Sequence, residues 1–378
     1  MGGKDLMTQI NDCLIRAVVE NFVFEGKFVG ALPYGGGHIN DTFAAYFQLE
    51  NGGAKRYILQ RINTKVFQNP EELMENISGV TGYLKNMITR LGGDPLRETL
   101  NLVLTIDGKS YYRDSEDGYW RAFLFIENAI TYNKVEKTED LYNSGRAFGR
   151  FQQLLADYPA NTLHESIPNF HNTVDRMEKL KDAISKDICD RVKDVQNEID
   201  FVLKREVDTH WLIDLQKAGE LPLRVTHNDT KLNNVMIDDK TGEGICVIDL
   251  DTVMPGLSLY DYGDSIRFGA TYAAEDEPNL SKVNFDIDLF EAYTKGYLEV
   301  VGKVLTPGEI ENLPMGAKII TLEIGIRFLT DYLSGDIYFK IHREGHNLDR
   351  CRTQFKLVSD MEKNWGQMTQ VVKKHSYL

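Results

Sequence analysis

Residues 225–249 read VTHNDTKLNNVMIDDKTGEGICVID, and the chemistry in this stretch is concentrated in His227, Asp229, Lys231, Asn234 and Asp249. An apolar approach at Leu223 and Val225 leads into the polar run His227–Asn234. Two short hydrophobic runs follow, Val235–Ile237 and Ile245–Ile248, and the turn-forming residues between them predict a β-hairpin. Folding that hairpin sets Asn234 beside Asp249 at its open end, with Asp229 and Lys231 on the loop just before it. An amide oxygen and a carboxylate are the donors a hard cation such as Mg²⁺ takes. Asp229 is the loop carboxylate placed to accept a hydroxyl proton, and Lys231 is a cation for a phosphoryl group. The set is that of phosphoryl transfer, which needs alignment and charge neutralisation more than covalent help.

The same residues resemble a known arrangement. His227, Asp229 and Asn234 keep the spacing of the protein-kinase catalytic loop H-R-D-x-x-x-x-N, and Asp249 stands where the second metal-binding Asp follows. Asp249-Leu250-Asp251 in place of D-F-G is similar to the aminoglycoside phosphotransferase and choline kinase superfamily. The resemblance implies an α+β, bilobal protein-kinase-like fold with a small β-rich N-lobe and a larger helical C-lobe. It implies Asp229 as base, Lys231 as phosphate partner, Asn234 and Asp249 as metal ligands, and ATP and Mg²⁺ as cofactors. His227 is expected to hold the loop by hydrogen bonding. Asp251 is open between an acid behind the metal and a turn former.

Composition narrows the class. The 378 residues suggest two lobes, and 42 % hydrophobic with 26 % charged residues is ordinary for a globular protein. A net charge of -14 argues against nucleic acid and anionic membranes as partners, since both select basic surfaces. Cys13, Cys189, Cys246 and Cys351 form no C-x-x-C pair, which fits neither a zinc site nor a disulfide framework and points to a reducing, cytoplasmic setting. No secretory signal and no membrane-spanning apolar run is evident. A monomer or weak dimer is expected.

The N-lobe is read as residues 1–128, nucleotide-binding. Residues 6–24 have helical spacing. Gly35-Gly36-Gly37-His38-Ile39-Asn40-Asp41-Thr42 lies between strand-like runs at 27–32 and 42–49, and glycines there let backbone N–H groups approach a phosphate; a plain hairpin turn is the alternative. Gly35, Gly36, Gly37, Asn40 and Thr42 are the nucleotide candidates. Neither a Walker P-loop nor a dinucleotide fingerprint occurs. In the strand 56–62, Arg61 takes the place of the kinase phosphate-gripping Lys, with a solvated Arg as the alternative. Glu75, on a helix opening at Asn69-Pro70, is left outside the site. Leu102–Thr105 and Ser110–Arg113 are predicted to pair through an Asp107-Gly108 hairpin turn, followed by a buried strand at 120–126 and a hinge at 127–130.

The C-lobe is read as residues 129–378, carrying the catalytic loop and substrate pocket. A helix over 138–158 with Thr138 as N-cap places Gly145 and Gly149 against a neighbour. His171, Asn172, Asp175 and Arg176 are read as solvated helix surface, a substrate contact being the alternative. In Tyr260-Asp261-Tyr262-Gly263-Asp264 the resemblance makes Asp261 the brace behind the catalytic loop. Further helices are predicted over 284–301, after a Thr306–Glu309 capping box, and over 317–333, where Glu323, Arg327 and Asp331 share a face and two carboxylates flank one guanidinium. His342-Arg343-Glu344-Gly345-His346 lacks the Glu position of a zincin, so exposed, non-ligating histidines are expected.

GGGHINDTF, THNDTKLNNVMID and the 317–339 region are similar to bacterial N-acetylhexosamine 1-kinases. That resemblance implies sugar contacts by Arg327, Tyr338 and His38, with the anomeric hydroxyl facing Asp229. A choline, amino-alcohol or aminoglycoside kinase is the enzyme alternative. A catalytically inactive nucleotide-binding scaffold is the alternative of another class, and its signature would be loss of Asp229, Asn234 or Asp249, all of which are present.

Overall fold

Every second side chain of the strands Asp41–Gln48 and Ala54–Ile62 turns to one core, Phe43, Ala45 and Phe47 on the first and Tyr57 and Leu59 on the second, while small Ala44 is buried on the opposite face. In the computed structural model, which describes residues 12–35 and 39–377, they are strands β2 and β3 of a six-stranded antiparallel sheet. Strand β1 is Lys27–Pro33, β4 Leu102–Val103, β5 Tyr112–Arg113 and β6 Tyr119–Leu124; the order is β1-β2-β3-β6-β4, with β5 also on β6. The chain divides into two units, Met1–Ala129, which holds this sheet, and Ile130–Leu378, which is mostly helical. The fold is thus α+β, strand-rich first and helical after, as the sequence predicts.

In the first unit the Asp12–Val19 helix lays Ile15, Val18 and Val19 on the apolar face of the sheet, with Phe24, Phe47 and Tyr57 clustered at ring separations of 4.7–5.2 Å. The helix expected over 6–24 ends at Val19. Beyond it Phe22 bridges Thr105, and Val23 N–H donates to the Leu104 carbonyl, so sheet-edge pairing takes over from helix propensity. The start of that expected helix lies outside the described residues. The Pro70–Arg90 helix follows its sequence signals, with Pro70 at the first position, Glu71 and Glu72 in the first turn, and Leu73, Ile77, Val80, Leu84 and Ile88 buried.

The predicted hairpin of residues 102–113 is not a strand pair. Leu102 and Val103 pair with Phe123 and Ala122, and Tyr112 and Arg113 pair with Trp120 and Tyr119. The Asp107-Gly108 turn does form, with Gly108 left-handed at φ 80° and Thr105 N–H donating to the Lys109 carbonyl. Thr105, however, is engaged by Phe22, and its hydroxyl by Asp107, so the two arms part and each finds its own length of β6.

In the second unit the Thr138–Leu154 helix packs on the Ile287–Val301 helix through glycine. A Cβ on Gly145 would run into the Tyr293 carbonyl, and one on Gly296 into the Tyr142 carbonyl. The N-cap of the first helix is Lys137 rather than Thr138, because Asp140 turns back to accept from Lys137 N–H. Thr306 and Glu309 form the predicted capping box, with Thr306 N–H donating to Glu309 at 2.8 Å. The long apolar helix runs Leu313–Leu333 and is buried nearly all round, with His346–Lys363 packed along it. No helix among the described residues is long and apolar enough to cross a membrane. Gly296→Ala is expected to destabilise the protein by about 1–3 kcal/mol through overpacking, seen as a lowered urea midpoint with unchanged slope; an unmoved midpoint would show that these helices can spread without cost.

Candidate active site

The hairpin forms as strands Val235–Asp238 and Gly244–Val247, antiparallel, with Val247 opposite Val235. Its turn is held by Asp238, which accepts from Lys240 and Thr241 N–H at 2.9 Å each. At the open end Ile248 N–H donates to the Asn234 carbonyl at 2.9 Å, which sets Asp249 next to Asn234. Asp249 is left-handed, φ 60°, and leads into a 3₁₀ turn, Leu250–Thr252, in which Asp251 is buried.

The loop ahead of the hairpin is fixed by backbone bonds to buried carboxylates. Asp261 accepts from His227 N–H at 2.9 Å and from Asn228 N–H at 2.7 Å, and Gln152 donates to it at 2.8 Å. Two successive N–H groups can reach one carboxylate because Asn228 is left-handed, φ 63°. Burial pushes the Asp261 carboxyl above its ordinary range, against the pull of these hydrogen-bond donors. The His227 ring accepts from Asp229 N–H at Nδ1 and lies 2.8 Å from the Ile248 carbonyl at Nε2, an arrangement that calls for the neutral Nε2–H tautomer.

Asp264, one helical turn beyond Asp261, accepts from Thr230 N–H at 2.8 Å and pairs with Arg267 at 2.9 Å; Arg267 also pairs with Glu275 at 2.6 Å. Burial alone would raise the Asp264 carboxyl, but Arg267, Lys231 and His171 outweigh it and hold the group below its ordinary value. Sequence reading names Asp261 and passes over Asp264. The signal lies in the YDYGD spacing, because residues three apart share a helix face.

Asp229 is thereby presented to Lys231 Nζ, 2.7 Å from Oδ1, and to Asn234 Nδ2, 3.2 Å from Oδ2. Lys231 keeps 36 % of its side-chain surface exposed. Crowding by protein lowers its pKa, and the Asp229 and Asp264 carboxylates more than reverse that, so it stays a cation. Asn234 spends its amide N–H on Asp229, a geometry that directs its oxygen elsewhere. Asn234 and Asp249 fit Mg²⁺ as a two-oxygen set of the kind completed by phosphates and water.

The nucleotide candidates lie in the first unit. Gly35 is left-handed at φ 79°, and Tyr34 N–H donates to the Thr42 carbonyl at 2.9 Å, next to the pairing of β1 with β2. Asn40 accepts from Asn63 N–H at 2.9 Å, and the Thr42 hydroxyl accepts from Gln60 at 3.0 Å. Gly36, Gly37 and His38 lie outside the described residues. Arg61 stands over Trp120, 5.9 Å from the ring centre, and helps depress the buried Asp114 carboxyl.

Arg327 and Tyr338 come together, the guanidinium 5.8 Å from the phenol ring and also over Phe170 and Phe339. Its ion pair is with Glu323 at 3.7 Å. Asp331 is not the second partner: it accepts from Ile337, Tyr338 and Phe339 N–H at 2.8–2.9 Å and from Asn347, and so shapes the loop that carries Tyr338. Within the polar cluster at 171–176, His171 and Arg176 are not solvated surface. His171 is 6 % exposed and 3.1 Å from the fully buried Glu323, and Arg176 donates to the Asn169 and Phe170 carbonyls. The histidines of 342–346 also part ways. His342 is exposed, whereas His346 is buried, because Asp276 sits 3.0 Å from its Nε2. Among the described residues no group of three His, Cys, Asp or Glu side chains could hold a metal.

Residues 31–299 match the model of the phosphotransferase enzyme family, APH. The chain belongs to that family. Its fold is similar to an aminoglycoside phosphotransferase from Alicyclobacillus acidocaldarius, at 12 % identity and TM-score 0.60 over 95 % of this chain and 96 % of that one. It is similar too to a choline kinase from Cryptosporidium parvum, at 15 % identity and TM-score 0.56 over 96 % and 98 % of the two chains. A microcompartment-associated aminopropanol kinase matches at 15 % identity and TM-score 0.56, over 94 % and 98 %. At these identities the likeness is one of fold.

Asp264 ties acid sensitivity to this site. Its depressed carboxyl contributes stability that is complete above the unfolded value of 3.8 and is lost as pH falls through the lower folded value. Asp264→Asn is expected to cost about 3–5 kcal/mol at pH 7 by stranding part of the Arg267 charge. The gap between wild type and variant should narrow as pH falls below about 4; urea midpoints from pH 7 to pH 3 that stay parallel would exclude the ionised pair.

Proposed function

We propose that this phosphotransferase is an ATP-dependent kinase that phosphorylates the anomeric hydroxyl of an N-acetylhexosamine, giving the sugar 1-phosphate. The observation that carries the kinase reading is Asp229 held by Lys231 and Asn234, with Asp249 adjoining at the hairpin end. Asp229 accepts the hydrogen bond of the acceptor hydroxyl and takes its proton as the oxygen bonds to the γ-phosphorus and the bond to the ADP oxygen breaks. Lys231 neutralises charge on the transferring group. Mg²⁺ on Asn234 and Asp249 would supply charge neutralisation for the ATP phosphates. His227, Asp261 and Asp264 act on the geometry of Asp229 through the backbone.

The first unit is assigned to the nucleotide, with Gly35, Gly36, Gly37, Asn40 and Thr42 around phosphate and Arg61 as a cationic contact. The second is assigned the acceptor contacts Arg327 and Tyr338 on the strength of the family resemblance, and the same resemblance makes His38, in the sequence of the first unit and outside the described residues, a further sugar candidate. An amino-alcohol or aminoglycoside acceptor is the second reading, favoured by what the named structural relatives are called.

Asp229→Asn is expected to lower turnover by about 10²–10⁴-fold while leaving ATP affinity within a few-fold, measured by sugar 1-phosphate formation beside calorimetric ATP binding. Undiminished turnover would remove Asp229 from the role of base. Absence of sugar 1-phosphate from GlcNAc and GalNAc with ATP and Mg²⁺ would overturn the acceptor assignment.

A further inference from the structure

Beside Arg327 the C-terminal unit has a groove of about 190 Å³, and its lining includes Arg176, Lys179, Arg327, Asp331 and Tyr338. Three cations and one carboxylate face this space, and the carboxylate is already committed. Asp331 receives three backbone N–H groups and the Asn347 amide. Lys179 is paired with Asp175 at 2.6 Å on the surface. Arg327 has Glu323 at 3.7 Å, but Glu323 is shared with His171.

Arg176 is the outlier. One of its terminal nitrogens, Nη2, donates to the Asn169 and Phe170 carbonyls, its Nε is buried with no acceptor, and among the described residues no carboxylate lies within salt-bridge distance of it. Burial, and then the nearby Arg327 charge, lower its pKa. Nε is closed off from the groove, so the donors Arg176 can offer a ligand there are those of Nη1, which makes no hydrogen bond among the described residues. Two guanidiniums around one space attract carbonyl, hydroxyl or carboxylate oxygens and repel ammonium groups.

We propose that Arg176 acts with Arg327 to grip oxygen atoms of the acceptor, and that Arg176 is the specificity-determining residue that rejects acceptors bearing an ammonium group. This rests on the reading of the groove as the acceptor end of the site. It selects acetamido and acidic sugars over amino sugars, amino alcohols and aminoglycosides, and gives a use to a residue that sequence pattern places on solvated surface.

The test compares full-length wild type, Arg176→Gln and Arg176→Lys with ATP and Mg²⁺ on N-acetylglucosamine, glucuronate, glucosamine with its amine protonated, and ethanolamine. Wild type is expected to prefer N-acetylglucosamine to glucosamine by more than 100-fold in kcat/KM. Arg176→Gln should raise KM for N-acetylglucosamine at least tenfold with kcat little changed, and bring the preference below tenfold. Arg176→Lys, which keeps the charge but loses the planar fork, should still reject glucosamine while raising KM for N-acetylglucosamine at least tenfold, and if the Gln variant does not fold, an Arg176→Lys protein with wild-type KM overturns the inference. A folded Arg176→Gln protein with the wild-type preference overturns the inference alone. Wild-type activity on glucuronate that depends on Arg176, without activity on N-acetylhexosamines, upholds it and overturns the sugar named above. A wild type that prefers ethanolamine, or that uses no acceptor in the set, overturns both.

Discussion

The candidate catalytic segment depends on one buried carboxylate. Asp261 receives the N–H groups of His227 and Asn228, and with them the left-handed turn that delivers Asp229. Those two donors lie in protein, where water cannot replace the acceptor, so without Asp261 the turn would leave orphaned polar groups. Gln152 ties the same carboxylate to the Val225 carbonyl, joining helix, strand and loop at one point. The position of Asp229 is therefore set by backbone geometry and needs no rotamer choice further along the loop.

Around this brace the charges alternate. Lys231 lies between Asp229 and Asp264, Arg267 between Asp264 and Glu275, and each buried ion has an opposite neighbour. The pattern keeps Asp264 ionised where burial alone would neutralise it, so a carboxylate remains to hold Thr230 N–H. The packed interior reaches the loop as well, since the Tyr293 hydroxyl donates to Ser265 and Ser265 to the Thr230 carbonyl. The hairpin loop and the surroundings of Arg327 are built differently. The loop is fixed by backbone bonds to buried acids, whereas the Arg327 region is side-chain architecture, with aromatic rings around a guanidinium and a loop shaped by Asp331.

Much of the geometry of the candidate site is legible in the sequence because its interactions are local. His227, Asp229, Asn234 and Asp249 lie within one hairpin, and strand pairing across a short turn sets neighbours by counting residues. The capping box at Thr306 and the glycine contact at Gly145 are local signals of the same kind. Other readings fail where a distant element decides. Residues 102–113 look like a hairpin until β6 offers each arm a better edge. His171 and His346 look exposed until Glu323 and Asp276 arrive from elsewhere in the chain.

By itself, then, the sequence determined the order of strand-rich and helical halves, the hairpin that sets Asn234 beside Asp249 and the helix behind its loop, because periodicity and short-range spacing act through the nearest few residues. Only the tertiary structure decided that Asp264 shares the bracing with Asp261, that Asp331 shapes a loop instead of pairing with Arg327, and that Arg176 lies half-buried with no carboxylate partner among the described residues. Burial and charge pairing depend on which remote helix packs over a residue, and that is settled by the competition of all faces for the core.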